Sequence, residues 1–151
     1  MTPKPDSVHL SFDARSKSRL LLRLDSGAEA ALVVERGRLL RGGDRVRTQD
    51  GREVLIIAAE ESLLEARSDD PVAIARAAFH LGNRHVAVQV MAKCLRFLND
   101  HVLEEMVKGL GLEVAAVRAP FEPEGGAYGH HHAHGSQLPL IRPKIHEFPA
   151  R

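Results

Sequence analysis

The stretch Leu63-Leu64-Glu65-Ala66-Arg67-Ser68-Asp69-Asp70-Pro71-Val72-Ala73-Ile74-Ala75-Arg76-Ala77-Ala78-Phe79-His80-Leu81-Gly82 is where one kind of periodicity gives way to another. Before it, short apolar runs alternate with turn residues. Within it, Ile74, Ala78 and Leu81 fall on one helical face, with Ala75 and Phe79 beside them. Asp70 is suited to cap this helix, because its carboxylate can take a free N–H of the first turn. Pro71 fits the first helical position, where the missing N–H would have no partner. Gly82 is the natural stop. The chain therefore divides into a β part and a mixed part.

Toward the N-terminus, residues 10–67 read as β structure. Residues 20–25 and 30–34 flank the turn Asp25-Ser26-Gly27, and Arg41-Gly42-Gly43-Asp44 marks a second turn. Asp50-Gly51 predicts a hairpin between 45–48 and 53–57. Residues 63–67 read as one more strand. Short strands with regular turns predict a small sandwich-like or barrel-like unit.

Toward the C-terminus, 86–90 and 95–98 read as strands. Asp100 can cap a second helix carrying Leu103, Met106, Val107 and Leu110, which Gly111 ends. Glu104 and Glu105 in its early turns and Lys108 near its end suit the helix dipole. Residues 112–117 close the unit. Counted from 63–67, the order is β-α-β-β-α-β, the split-βαβ, ferredoxin-like sequence of elements. After Pro120 the chain holds Pro, Gly and His without periodicity, which predicts a flexible tail. The fold class is α+β: an N-terminal β domain (1–68), a ferredoxin-like domain (69–128, with 63–67 as its candidate first strand), and a His-containing tail (129–151).

Composition narrows the function. Apolar residues make up 44% of the 151 residues, enough for a core, but only 4% are aromatic, so that core is aliphatic. Lys and Arg total 21 against 20 Asp and Glu, without the basic excess that phosphate neutralisation demands of a nucleic-acid binder. Cys94 is the single cysteine, so no intrachain disulfide forms. No stretch is long and apolar enough to span a membrane, and the first residues carry no apolar signal region, so a cytoplasmic protein is expected.

Histidine stands out, with nine in the chain and four of them at His130, His131, His132 and His134. Imidazole suits borderline metals such as nickel, zinc and copper, and glycines on either side let the backbone fold several rings around one ion. A purification tag is an uninterrupted terminal block, whereas this run is internal and interrupted. Metal binding is the better reading. Two further histidines sit at helix ends. His85 follows the first helix in His80-Leu81-Gly82-Asn83-Arg84-His85, and His101 follows the Asp100 cap. Taken alone, His85 reads more readily as a capping or surface residue than as a ligand, and His80 as a packed or half-exposed side chain. At His101 the helix dipole favours the neutral imidazole that ligates metal, but surface exposure explains that residue equally well. No nucleophile-and-base pair, phosphate loop, HExxH or CxxC motif is present.

The run Ala78-Phe79-His80-Leu81-Gly82-Asn83-Arg84-His85-Val86-Ala87-Val88-Gln89 resembles the central motif of the UreE family of urease nickel chaperones. Asn99-Asp100-His101-Val102-Leu103-Glu104-Glu105-Met106 and Pro120-Phe121-Glu122-Pro123-Glu124-Gly125-Gly126-Ala127-Tyr128 extend the resemblance into the His-rich segment, and Arg38-Leu39-Leu40-Arg41-Gly42-Gly43-Asp44 carries it into the first domain. The resemblance implies a homodimer that binds Ni2+, with zinc or copper as substitutes in vitro. It implies delivery to the apo-urease complex together with the urease accessory GTPase, and an N-terminal domain that docks partner peptides. His85 is then the metal ligand at the dimer interface. His130, His131, His132 and His134 are extra ligands, with His101 and His146 as secondary candidates. Asn99 stands where some members have a first histidine of a His-Asp-His motif, which halves any site built on that pair.

Two other classes fit less well. A metal-dependent hydrolase needs about three fixed ligands in one chain plus a base, and no such set is visible. A passive nickel or zinc store would scale with its histidines, and this cluster is short.

Overall fold

The computed structural model describes residues 5–126 and 139–143. The elements run β1 (Asp6–Leu10), α1 (Phe12–Ser16), β2 (Arg19–Arg23), β3 (Glu29–Val33), β4 (Arg45–Thr48), β5 (Glu53–Ala58), β6 (Glu60–Arg67), α2 (Pro71–Asn83), β7 (Gln89–Met91), β8 (Cys94–Leu98), α3 (His101–Gly109), β9 (Glu113–Pro120) and β10 (Leu140–Pro143). They form two units, one from residues 5–58 joined by residues 139–143, the other from residues 59–126. The division falls ahead of β6, which pairs with the strands that follow it.

The first unit is a six-stranded mixed sheet in the order β1-β5-β4-β10-β3-β2. Its core is aliphatic, as the composition requires: Leu32, Leu40, Val46, Ile56 and Ile141 are fully buried. The hairpin β4–β5 turns at Asp50-Gly51, where Gly51 takes φ +86°, a conformation open to residues without Cβ, and its N–H donates to Thr48 O at 3.0 Å. Besides β1, which lies ahead of the span read as β structure, two elements depart from the sequence reading. α1 interrupts the span read as continuous β structure; Ser11 caps it by accepting from Ala14 N at 3.2 Å, and five residues are too few to show a helical period. Arg15 on α1 is fully buried, its Nε and Nη1 donating to the carbonyls of Leu10 and Leu40 at 3.2 Å each. The second departure is β10. Residues read as unstructured tail form a strand inside the sheet, antiparallel to β3 and parallel to β4. The pattern missed it because a four-residue strand between two neighbours carries too short an alternation.

The second unit is an antiparallel sheet in the order β7-β8-β6-β9, with α2 connecting β6 to β7 and α3 connecting β8 to β9. One face, bearing Leu64, Ala66, Leu95 and Phe97, packs with Ala73, Ala77 and Leu81 of α2 and Val107 of α3. The buried face of α2 is therefore centred one position away from the expected one, and Phe79 is 63% exposed. Both caps form as expected. Asp70 Oδ1 accepts from Val72 N at 2.9 Å, and Asp100 Oδ1 from Val102 N and Leu103 N at 2.8 and 3.0 Å.

The other face of this sheet carries Leu63, Glu65, Cys94 and Arg96, which the pleat turns away from the helices. It is covered by the chain that leaves β9. Phe121 and Pro123 are buried, Glu122 N donates to Gln89 Oε1 at 3.1 Å, and Glu124 N donates to Val88 O at 2.8 Å. Because β9 and β7 are opposite edges of the sheet, residues 121–124 cross it as a strap.

Candidate metal centre

α2 does not stop at Gly82, as its sequence suggests, but continues to Asn83 with Arg84 as its last, half-helical residue. The chain then closes a two-bond helix end. His85 N donates to Gly82 O at 3.0 Å, and Val86 N donates to Leu81 O at 3.2 Å. This pattern needs a left-handed residue between its two bonds, and glycine usually fills it. Here His85 fills it, with φ +57°. A residue with a Cβ costs roughly 1–2 kcal/mol in that conformation. Leu81 is fully buried and Val86 packs against the same core, which holds the turn in place. The result is an exposed imidazole on a sharply fixed backbone.

The other histidines of this unit are less constrained. His80, on the last turn of α2, packs its ring edge-on to Phe79 with centroids 5.4 Å apart, and its carbonyl accepts from Arg84 Nη1 at 3.0 Å. His101 opens α3 and is exposed. Asn99, beside it, donates through Nδ2 to Ser62 Oγ at 3.2 Å, a tie to β6. Among the described residues, no three of His, Cys, Asp and Glu gather closely enough to hold a metal ion. Neither His85 nor His101 therefore belongs to a group of three or more such side chains among the described residues. His130, His131, His132, His134 and His146 lie outside the described residues.

The remaining reactive side chains are engaged structurally. Glu65 is buried and accepts from Arg96 Nε and Arg67 Nε, each at 2.7 Å. Burial pushes its carboxyl up, but the hydrogen bonds and charges of Arg96 and Arg67 outweigh that and hold it below the usual range. Cys94 is buried next to this cluster; burial, then the Glu65 charge, push its thiol up, so it is a poor nucleophile or ligand. Residues 121–124 and Gln89 were not singled out by the sequence as a pair. The prolines at Pro120 and Pro123, which favour extended backbone, were the available signal.

The profile of the UreE urease accessory protein N-terminal domain matches residues 2–59, and that of the C-terminal domain matches residues 61–147. The chain is 51% identical to the urease accessory protein UreE of Dechloromonas aromatica, over 97% of this chain and 93% of that protein. It is 51% identical to the one from Pseudomonas putida strain GB-1, over 93% and 88%. It is 50% identical to the one from Citrobacter koseri, over 85% and 88%. With both domain profiles matched in order and half of all residues shared over nearly its whole length, the chain belongs to the UreE urease accessory protein family.

Proposed function

We propose that this chain is a nickel metallochaperone, which binds Ni2+ through histidines at a homodimer interface and delivers it to apo-urease during assembly of the metal centre. The observation that carries the reading is His85: an exposed imidazole held on a left-handed helix end, in a member of a urease accessory family. One such ligand per chain is too few for a metal ion. A two-fold axis doubles it, and the remaining positions fall to His130, His131, His132 and His134, to water, or to His101 and His146. Such a site wins the ion and still leaves positions for a recipient. The strand order β7-β8-β6-β9 with its two crossover helices supports a ferredoxin-like domain as the rigid base for this centre.

The protein works by transfer and not by turnover. Its ligands are spread over a turn and a separate histidine run, an arrangement that favours exchange over fixing a transition state. The energy input then comes from the urease accessory GTPase. Among the described residues no helix is long and apolar enough to cross a membrane, which is compatible with work in the cytoplasm beside urease.

Reconstitution tests the reading. Nickel-loaded protein, apo-urease, the other accessory proteins, GTP and bicarbonate yield urease activity in the presence of a chelator that removes free nickel. The His85→Ala chain yields much less, and excess free nickel partly restores it. Equal activation by His85→Ala under the chelator would remove His85 from the transfer site. Passive storage, by contrast, predicts nickel capacity without activation under the chelator.

A further inference from the structure

His85 is held from two sides. α2 fixes its amino side. On its carboxyl side run Val86, Ala87 and Val88, which are half-buried and belong to no helix or strand. A left-handed residue with a Cβ keeps that conformation only where its surroundings hold it there. Val86 N is tied back to Leu81 O at 3.2 Å. At the other end of the stretch Val88 O accepts from Glu124 N at 2.8 Å, and the next residue, Gln89, accepts through Oε1 from Glu122 N at 3.1 Å. The two donors are two residues apart, so on an extended chain their N–H groups point to one side. The Gln89 side chain thus stands in for a backbone carbonyl, and the strap bonds to 88–89 much as a neighbouring strand would. At its other end the strap is firmly rooted. It continues β9, which pairs with β6 from Glu113 to Pro120, and Phe121 is fully buried.

We propose that residues 121–124 clamp the turn that carries His85, with Gln89 as the positioning residue that fixes the imidazole for Ni2+. The inference rests on the reading of His85 as a metal ligand. The strap carries the rigidity of β9 across the sheet to the segment that leaves His85, on the side that α2 does not control. Gln89 joins the two parts of this device. Its backbone pairs with Arg96 of β8 as the first residue of β7, while its side chain holds the strap. The geometry matters because one imidazole per chain has to meet another across a two-fold axis. Metal–nitrogen distances hold to within about 0.2 Å, so the two rings need fixed starting positions. A ligand whose supporting groups leave it about 1 Å too loose binds poorly even though it is present. Burial of Phe121 and Pro123 alone would make the strap a cover for the sheet. The two bonds to 88–89 give it a bearing on the metal site as well.

Calorimetry of nickel binding by the full-length chain tests the clamp. Gln89→Met keeps the length of the side chain and removes its acceptor oxygen. The tightest nickel site should weaken about three- to tenfold with unchanged stoichiometry, less than when a group bonded directly to a ligand is lost. Gln89→Glu keeps an acceptor oxygen and should bind within about twofold of wild type at a salt concentration that screens its added charge. Amide exchange of the apoprotein gives a readout independent of the metal. In Gln89→Met the amides of Glu122, Glu124, His85 and Val86 should exchange faster, and those within β9 should not change. Asp70→Ala removes the cap at the far end of α2 and destabilises the same unit, yet should keep wild-type nickel affinity. The proposal is overturned if Gln89→Met frees the Glu122 amide without weakening nickel binding, or if Asp70→Ala weakens it as much. His85→Ala in the same titration separates the clamp from the metal reading beneath it. Loss of the site in His85→Ala with none in Gln89→Met overturns the clamp alone. Wild-type affinity in His85→Ala overturns the metal reading, and the clamp's bearing on nickel with it.

Discussion

The Val86 amide reaches back to the Leu81 carbonyl at 3.2 Å, and His85 is the residue that this bond forces into the left-handed region. The stability of the helix end and the placement of the imidazole are therefore in opposition. His85→Gly relieves the Cβ strain and should raise unfolding stability by about 1 kcal/mol. His85→Ala keeps a Cβ and should leave stability near wild type. Both should lose the tightest nickel site. Chemical denaturation together with nickel calorimetry on the three proteins checks this, and a less stable His85→Gly chain would refute the strain argument.

The contribution of the histidine run should be measured by substitution and not by truncation. A chain ending at Tyr128 loses β10 and with it the Ile141 side chain from the core of the first unit, so its nickel binding would mix two causes. Replacing His130, His131, His132 and His134 with alanine in the full-length chain leaves that strand intact. The expected outcome is unchanged thermal stability of the apoprotein, with fewer or weaker nickel ions per dimer. Total loss of nickel binding in this variant would move the primary site from His85 to the run.

Glu65 should make stability depend on acidity. Its carboxyl is held low by Arg96 and Arg67 against the cost of burial. A lowered folded-state value means that this contribution is fully present above the unfolded carboxylate range, near pH 4.5. It is lost as pH falls through the folded value. Glu65→Gln should cost about 2 kcal/mol at neutral pH. The gap from wild type should close on acidification below about pH 4.5. Denaturation midpoints taken across that range report it; a gap that does not change with pH would mean the two arginines add nothing to the carboxylate.

The strap over the second sheet should depend on Gln89. Its Oε1 holds the Glu122 amide at 3.1 Å. Gln89→Ala leaves that amide without its acceptor and should lower stability by about 1 kcal/mol. Faster hydrogen exchange at Glu122 than at Val117 within β9 is the local signature. An unchanged Glu122 exchange rate would show that the Gln89 side chain does not hold the strap.

The sequence by itself determined the parts whose signals are local. Asp70-Pro71 and Asp100 started both long helices where they begin, since a cap needs only its own residue and the next amides. Gly51 and Gly111 ended their elements through left-handed angles that glycine adopts freely. The histidine content and the motif through Asn83-Arg84-His85 led to the family. Tertiary structure decided what depends on partners distant in the chain. Gly82 looked like the helix stop, yet burial of Leu81 and Val86 against one core moved the left-handed position to His85. The stretch 86–90 had strand composition, but only Gln89–Met91 found a ladder partner among the described residues, on β8. Residues 140–143 had too few side chains to show a period, and became a strand only because β3 and β4 stood apart by the width of one. A cap or a turn is settled by the energy of a few adjacent bonds, whereas a strand exists only where a neighbouring backbone offers its free donors and acceptors.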